Sequence, residues 1–337
     1  MDSERLLKYA IHTNPTRVEL ELTERCNLSC RFCYNSQKPV DSPCVMQILQ
    51  RLTEEGVPEI VLTGGEPVLH PQFKDILYQC ASIFQKTMVQ TNGTLIDDDV
   101  ADLLAENKVY EVNISLHGSP KLHDALTLYK GSHKSATEAI KHLVQRNVRV
   151  SSNFVMTKEN IAGLESNLAE LYQLGVRCMT LTRFTPTGVG SANSQMALSR
   201  EEIVEAIRIA DQFSQTHANA TVLLANSMPF CSLPRSLSSY CEHCHFGASR
   251  FYIDINGNVL MCGMSRVRLG NIIQKTFAEI KEHSTEFSCH ILGEDVPKVC
   301  SICENFQRCR GGCRAAALAN TGDFCGADPY LIKEDIL

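Results

Sequence analysis

RVELELTERCNLSCRFC, residues 17–33, sets a short strand against a dense group of thiols. Arg17–Thr23 alternates apolar and polar residues with the period of two that a half-buried strand requires. Directly after it, Cys26, Cys30 and Cys33 put three thiols within one short loop. Such a loop can wrap three thiolates around three irons of a [4Fe–4S] cube and leave the fourth iron open. Zinc is the alternative. A structural zinc site closes with four ligands, often drawn from CxxC pairs. The spacing here is CxxxCxxC, and no further Cys or His follows until Cys44.

Outward from that loop, short apolar runs alternate with amphipathic ones. Strands are expected at Glu59–Thr63, Thr87–Thr91, Tyr110–Leu116, Val148–Met156 and Arg177–Arg183. Helices are expected near 43–55, 71–84, 97–106, 133–147 and 161–174, the last capped by Asn160 and stopped by Gly175. A further helix over 199–217 has Ser199 as its cap and two glutamates in its first turn. This alternation predicts an α/β fold, a partial (β/α)6 barrel with function at the C-terminal ends of its strands. The expected boundaries are an N-terminal segment 1–16, the barrel 17–227, a small cysteine-rich domain 228–330 and a tail 331–337. In the last domain Ile255-Asn256-Gly257-Asn258 signals a two-residue hairpin turn.

Polar residues gather at the expected strand ends. Gly64-Gly65-Glu66-Pro67 follows the second strand, where glycines allow close backbone approach and Glu66 offers a carboxylate. Ser115 ends the fourth strand, Asn153 sits on the fifth and Arg183 on the sixth. A hydroxyl bonding its own backbone, a structural amide and a sheet-end arginine are the plain alternatives. Thr91-Asn92-Gly93 reads as a turn.

Sixteen cysteines are present, ten of them at or beyond Cys231. Cys241-x2-Cys244 precedes Gly257-x4-Cys262, and Cys300-x2-Cys303-x5-Cys309-x3-Cys313 is followed by Cys325. Paired zinc ribbons would also suit CxxC spacing.

Together these motifs resemble the radical S-adenosylmethionine (SAM) superfamily, and the C-terminal cysteines resemble its SPASM extension. The resemblance implies that Cys26, Cys30 and Cys33 hold a [4Fe–4S] cluster whose open iron is chelated by SAM. Reductive cleavage then yields methionine and a 5′-deoxyadenosyl radical that abstracts hydrogen from the substrate. It implies SAM contacts by the backbone at Phe32, by Gly64, Gly65, Glu66 and Pro67, and by Ser115, Asn153 and Arg183. Two auxiliary [4Fe–4S] clusters are implied: an outer one on Cys300, Cys303, Cys309 and Cys325, and an inner one on Cys244, Cys262 and Cys313. Cys241 is the chosen fourth inner ligand and Cys231 its rival; with neither, the inner cluster has an open iron.

The resemblance further implies a ribosomally made peptide as substrate, with a tetrapyrrole or other small molecule as the alternative and a non-catalytic iron–sulfur protein as a third reading. Gly263 stands where sulfatase-maturing relatives carry an Asp, which argues against that activity. Only 25 residues precede Cys26, too few for a winged-helix peptide-binding domain, so a separate recognition protein is an expected partner. A reductant such as flavodoxin or ferredoxin is another. No catalytic base is identified; Tyr252, His117 and His245 are the candidates. Hydrophobic residues at 44%, charged residues at 21% and a formal charge of −6 are ordinary for a globular enzyme and point to neither nucleic acid nor membrane. Without a signal peptide or membrane-spanning run the expected compartment is the cytoplasm, where so many cysteines indicate metal or catalytic roles.

Overall fold

The computed structural model describes residues 3–36, 38–241 and 244–332. Most of the expected tail, residues 333–337, lies outside them.

Strand β1 (Arg17–Thr23) shows why the chain folds as it does. Val18, Leu20 and Leu22 are wholly buried among the helices, while Glu19 on the opposite face borders a cavity inside the sheet's curve. The apolar half packs on Ile48, Leu49 and Leu52 of helix α2 (Val45–Glu54), α1 being Ser3–His12. The pattern repeats through β2 (Glu59–Gly64), α3 (Phe73–Ile83), β3 (Lys86–Thr91), α4 (Asp98–Glu106) and β4 (Glu111–Ser115). It continues through α5 (Pro120–Thr127), α6 (Ser132–Gln145), β5 (Val150–Met156), α7 (Leu164–Gln173), β6 (Cys178–Arg183), α8 (Arg200–Thr216) and β7 (Thr221–Leu224). Strands β1 to β7 pair in sequence order, all parallel. The sheet does not close, so its concave side stays accessible.

The six expected strands are all present, and a seventh, β7, joins them. Its four residues are too few to show a period. Ser199 caps α8 in a reciprocal box with Glu202, as its position predicts. Asn160 does not cap α7. It is fully buried, its carbonyl accepting from Thr157 and its amide donating to the backbone of His117 and Val155, so it ties the ends of β4 and β5 together.

The cysteine-rich segment extends the same sheet. Strand β8 (Arg250–Ile253) pairs in parallel with β1, from Arg17↔Arg250 to Leu20↔Ile253, and β9 (Asn258–Leu260) and β10 (Arg268–Asn271) follow antiparallel. The β8–β9 hairpin forms where the sequence signals it, with a loop one residue longer than expected. Asp254 accepts from the amides of Asn256 and Asn258, and Gly257 takes φ +77°, as the bulge closing a three-residue loop requires. Among the described residues no helix is long and apolar enough to cross a membrane.

Candidate active site and cluster-binding cysteines

The loop after β1 is held from three sides. The backbone N–H groups of Ser29 and Arg31 donate to the carbonyls of Thr127 and Leu126 at the end of α5. The segment 188–193 backs the loop, with Gly190 N–H donating to Cys33 and the Asn193 amide to Arg31. Gly188 comes so close that a Cβ there would lie 2.1 Å from the Tyr34 carbonyl. From the β2 side, Gly65 and Glu66 donate their N–H groups to the carbonyls of Thr23 and Arg25, and a Cβ on Gly65 would lie 2.1 Å from the latter. The glycines of the GGEP run are therefore required for one loop to lie against another.

Cys26, Cys30 and Cys33 all line one cavity of about 460 Å³. Their sulfurs receive hydrogen bonds: Leu28 N–H to Cys26 at 3.4 Å, Asn35 N–H to Cys33 at 3.4 Å, and the Asn92 amide to Cys26 at 3.8 Å. Burial pushes the Cys26 thiol up to about 11 and raises Cys30 as well. Among the described residues no three His, Cys, Asp or Glu side chains converge as one metal ion would need. Three thiols in one loop fall one short of the four ligands that a structural zinc takes and suit a cube with one open iron.

Of the expected SAM contacts, Phe32, Gly64, Gly65, Ser115, Asn153 and Arg183 line this cavity. Ser115 and Asn153 are neighbours across β4 and β5, and the Asn153 carbonyl accepts from Thr182 at 2.6 Å. Glu66 and Pro67 are buried behind the wall. The Glu66 carboxylate accepts from Thr91 Oγ1 at 2.7 Å and Asn92 N–H at 2.8 Å, and burial lifts its pKa to about 7. It braces β2 against β3 and does not face the cavity.

Arg183 also differs from expectation. Its guanidinium, almost fully buried, forms a two-pronged ion pair with Asp328 at 3.0 and 2.5 Å and lies over the Tyr330 ring. The same carboxylate accepts from Cys313 N–H at 2.9 Å. The charge expected to meet SAM is thus committed to the C-terminal segment, close to an expected cluster ligand. Asp328 is isolated in the sequence and carried no motif. Asn92, read as part of a plain turn, reaches Cys26 and Asn27.

Of the candidate bases, only His117 borders the cavity; Tyr252 and His245 are not in its wall. Val155 N–H donates to His117 Nδ1, which leaves the proton on Nε2, and burial lowers the pKa well below the usual histidine value. His117 is therefore a neutral hydrogen-bond donor and unsuited to take a proton. At Gly263, a Cβ would lie 2.9 Å from the Tyr252 ring and 3.2 Å from Tyr34. The aromatic rings occupy the space an aspartate would need.

The C-terminal cysteines separate into groups. Cys262 and Cys313 are neighbours of Cys244, and all three line the same cavity as Cys26, Cys30 and Cys33. Cys300 lies with Cys303 and Cys309. Cys241, expected at the inner group, instead faces Cys309 and Cys231, and its thiol is packed in the apolar core. Cys325, expected at the outer group, is exposed, and its charged neighbours are Asp323, Asp295 and Arg314.

Two family models match the chain: the radical SAM superfamily over residues 20–171 and SPASM, an iron–sulfur cluster-binding domain, over 241–310. This is a radical SAM enzyme with a SPASM domain. Among sequence relatives, the AdoMet-dependent heme synthase of Methanosarcina barkeri is 24% identical, over 96% of this chain and 98% of its own. The sporulation killing factor maturation protein SkfB of Bacillus subtilis is 28% identical, over 82% of this chain and 69% of its own. The crystal structure of Streptococcus suis SuiB bound to S-adenosylmethionine superposes with a TM-score of 0.78 at 18% identity, covering 97% of this chain and 79% of that one. That likeness establishes the shared fold.

The cofactors of this radical SAM enzyme are accordingly [4Fe–4S] clusters and SAM. The thiol triad, its N–H···S donors and the adjoining polar strand ends fit that demand, and the cavity lies within the roughly 300–1,000 Å³ usual for small-molecule sites.

Proposed function

We propose that this radical SAM enzyme matures a ribosomally synthesised peptide. Cys26, Cys30 and Cys33 hold the SAM-binding cluster, and Cys244, Cys262 and Cys313 belong to one of two auxiliary clusters. With the cluster and SAM bound, reductive cleavage supplies a 5′-deoxyadenosyl radical for hydrogen abstraction. One observation carries the reading: the two cysteine triads border a single cavity, so a substrate held there lies between the site of radical formation and a second redox centre. Gly64 and Gly65 shape the wall beside the thiol loop, Ser115 and Asn153 offer hydrogen bonds from the strand ends, and His117, whose Nδ1 accepts from Val155 N–H, borders the same wall with its proton on Nε2.

Peptide-directed relatives support the substrate class: SkfB is a maturation protein, and SuiB has been crystallised with its precursor peptide SuiA. A separate recognition protein would present the peptide, and a flavodoxin or ferredoxin in the cytoplasm would supply the electron. The second reading, a tetrapyrrole substrate, draws on the heme synthase relative, which matches nearly end to end. Anaerobic reconstitution with dithionite and SAM tests both. 5′-Deoxyadenosine should form in step with a mass change in a co-expressed short peptide; turnover coupled only to an iron-tetrapyrrole would favour the second reading, and absence of 5′-deoxyadenosine would refute both.

A further inference from the structure

We infer that Cys231 is the fourth protein ligand of the outer auxiliary cluster, in the place expected for Cys325. This assignment rests on the proposed presence of auxiliary clusters. Cys231 sits in a single helical turn, Phe230–Ser232, that interlocks with the outer cysteines. The preceding residue donates its N–H to Cys309 Sγ at 3.3 Å. Arg308 stacks on the Phe230 ring, and Pro229 packs so tightly on Gly312 that a Cβ there would lie 2.8 Å from the proline Cδ. The turn is pinned at its other end by Arg200, whose Nε donates to the Ser232 carbonyl at 2.8 Å.

In that position the Cys231 thiol is a neighbour of Cys309 and Cys303, and Cys300 is a neighbour of Cys231. The turn that carries Cys231 thus touches the outer cysteines directly at Cys309, which brings a fourth thiol from a separate segment beside Cys300, Cys303 and Cys309 for a four-iron cube. Cys325 meets none of these conditions. It is exposed, its own N–H is held by Asp323, and its thiol neighbours Cys289. Cys241 neighbours Cys309 and Cys231 as well, yet it is enclosed by apolar side chains and serves as a small core residue. The inner triad is then left with three thiols facing the cavity.

The test uses full-length protein carrying Cys26→Ala, Cys30→Ala and Cys33→Ala together, so that only auxiliary iron is counted. Cys231→Ala in this background should lose about half of the iron and sulfide. Cys231→Ser should keep more of it with an altered electron paramagnetic resonance signal, since a serine oxygen can replace the sulfur; a packing role would leave the signal unmoved. Cys325→Ala should keep the full iron content and the parental signal. Loss on Cys325→Ala, with or without loss on Cys231→Ala, overturns the assignment, as does an unchanged signal in both Cys231 variants. A background protein with no iron at all refutes the auxiliary clusters themselves, a different failure from a misassigned ligand.

Discussion

Single residues show how little room the thiol loop has. Gly65→Ala or Gly188→Ala would drive a methyl into the Arg25 or Tyr34 carbonyl, and backbone cannot swing aside as a side chain can. Each variant should lose most of the iron bound at Cys26, Cys30 and Cys33 while keeping auxiliary iron, a difference that Mössbauer spectroscopy with and without SAM would register. Glu19 offers a pH prediction. Burial raises its carboxyl to about 7, above the ordinary value, despite Arg250 and Arg17 nearby. The folded chain then holds a proton that the unfolded chain has released, so this group's contribution to stability is lost as pH rises from about 4.5 to 7. Glu19→Gln should flatten that slope, gaining about 1–3 kcal/mol relative to the parent at pH 8 against pH 5 in urea unfolding. At this scale the sequence was legible where chemistry imposes spacing, as for the three thiols. It was silent on orientation. Nothing in the GGEP run reveals that Glu66 turns inward to Thr91, or that Arg183 has a partner 145 residues away.

Between elements, the Arg183–Asp328 pair joins β6 to the last described segment and holds the amide of Cys313. Removing one partner leaves a buried charge uncompensated, which costs about 3–5 kcal/mol. Asp328→Ala should lower the unfolding midpoint accordingly and loosen the inner auxiliary cluster, whereas Asp328→Ala combined with Arg183→Met should recover part of the stability. Iron retention during chelator challenge would separate the two effects. Strands and helices were readable wherever an apolar period ran long enough. Three of the missed elements have local reasons: β7 is four residues long, α5 is only eight residues long and starts at Pro120, and α1 buries none of its residues.

At the scale of the whole molecule, the sequence read the chain as a barrel followed by a separate cysteine-rich unit, and the structure carries one continuous sheet through both. The join at β1 and β8 could not be read from periodicity, because pairing between distant strands leaves no local trace. Removing residues 228–337 should therefore expose an edge of the barrel. Such a truncated chain is expected to aggregate, as light scattering during refolding would show, and Glu19→Lys on that exposed strand should reduce the aggregation.

The same pairing has a temporal meaning. During synthesis β1 leaves the ribosome early, but its partner on one side emerges more than two hundred residues later. Until then an apolar strand with free backbone donors and acceptors waits beside an oxygen-sensitive thiol loop, a state prone to wrong pairing. Chaperone protection of the nascent chain, and delayed iron loading until translation ends, would follow from the placement of that one strand.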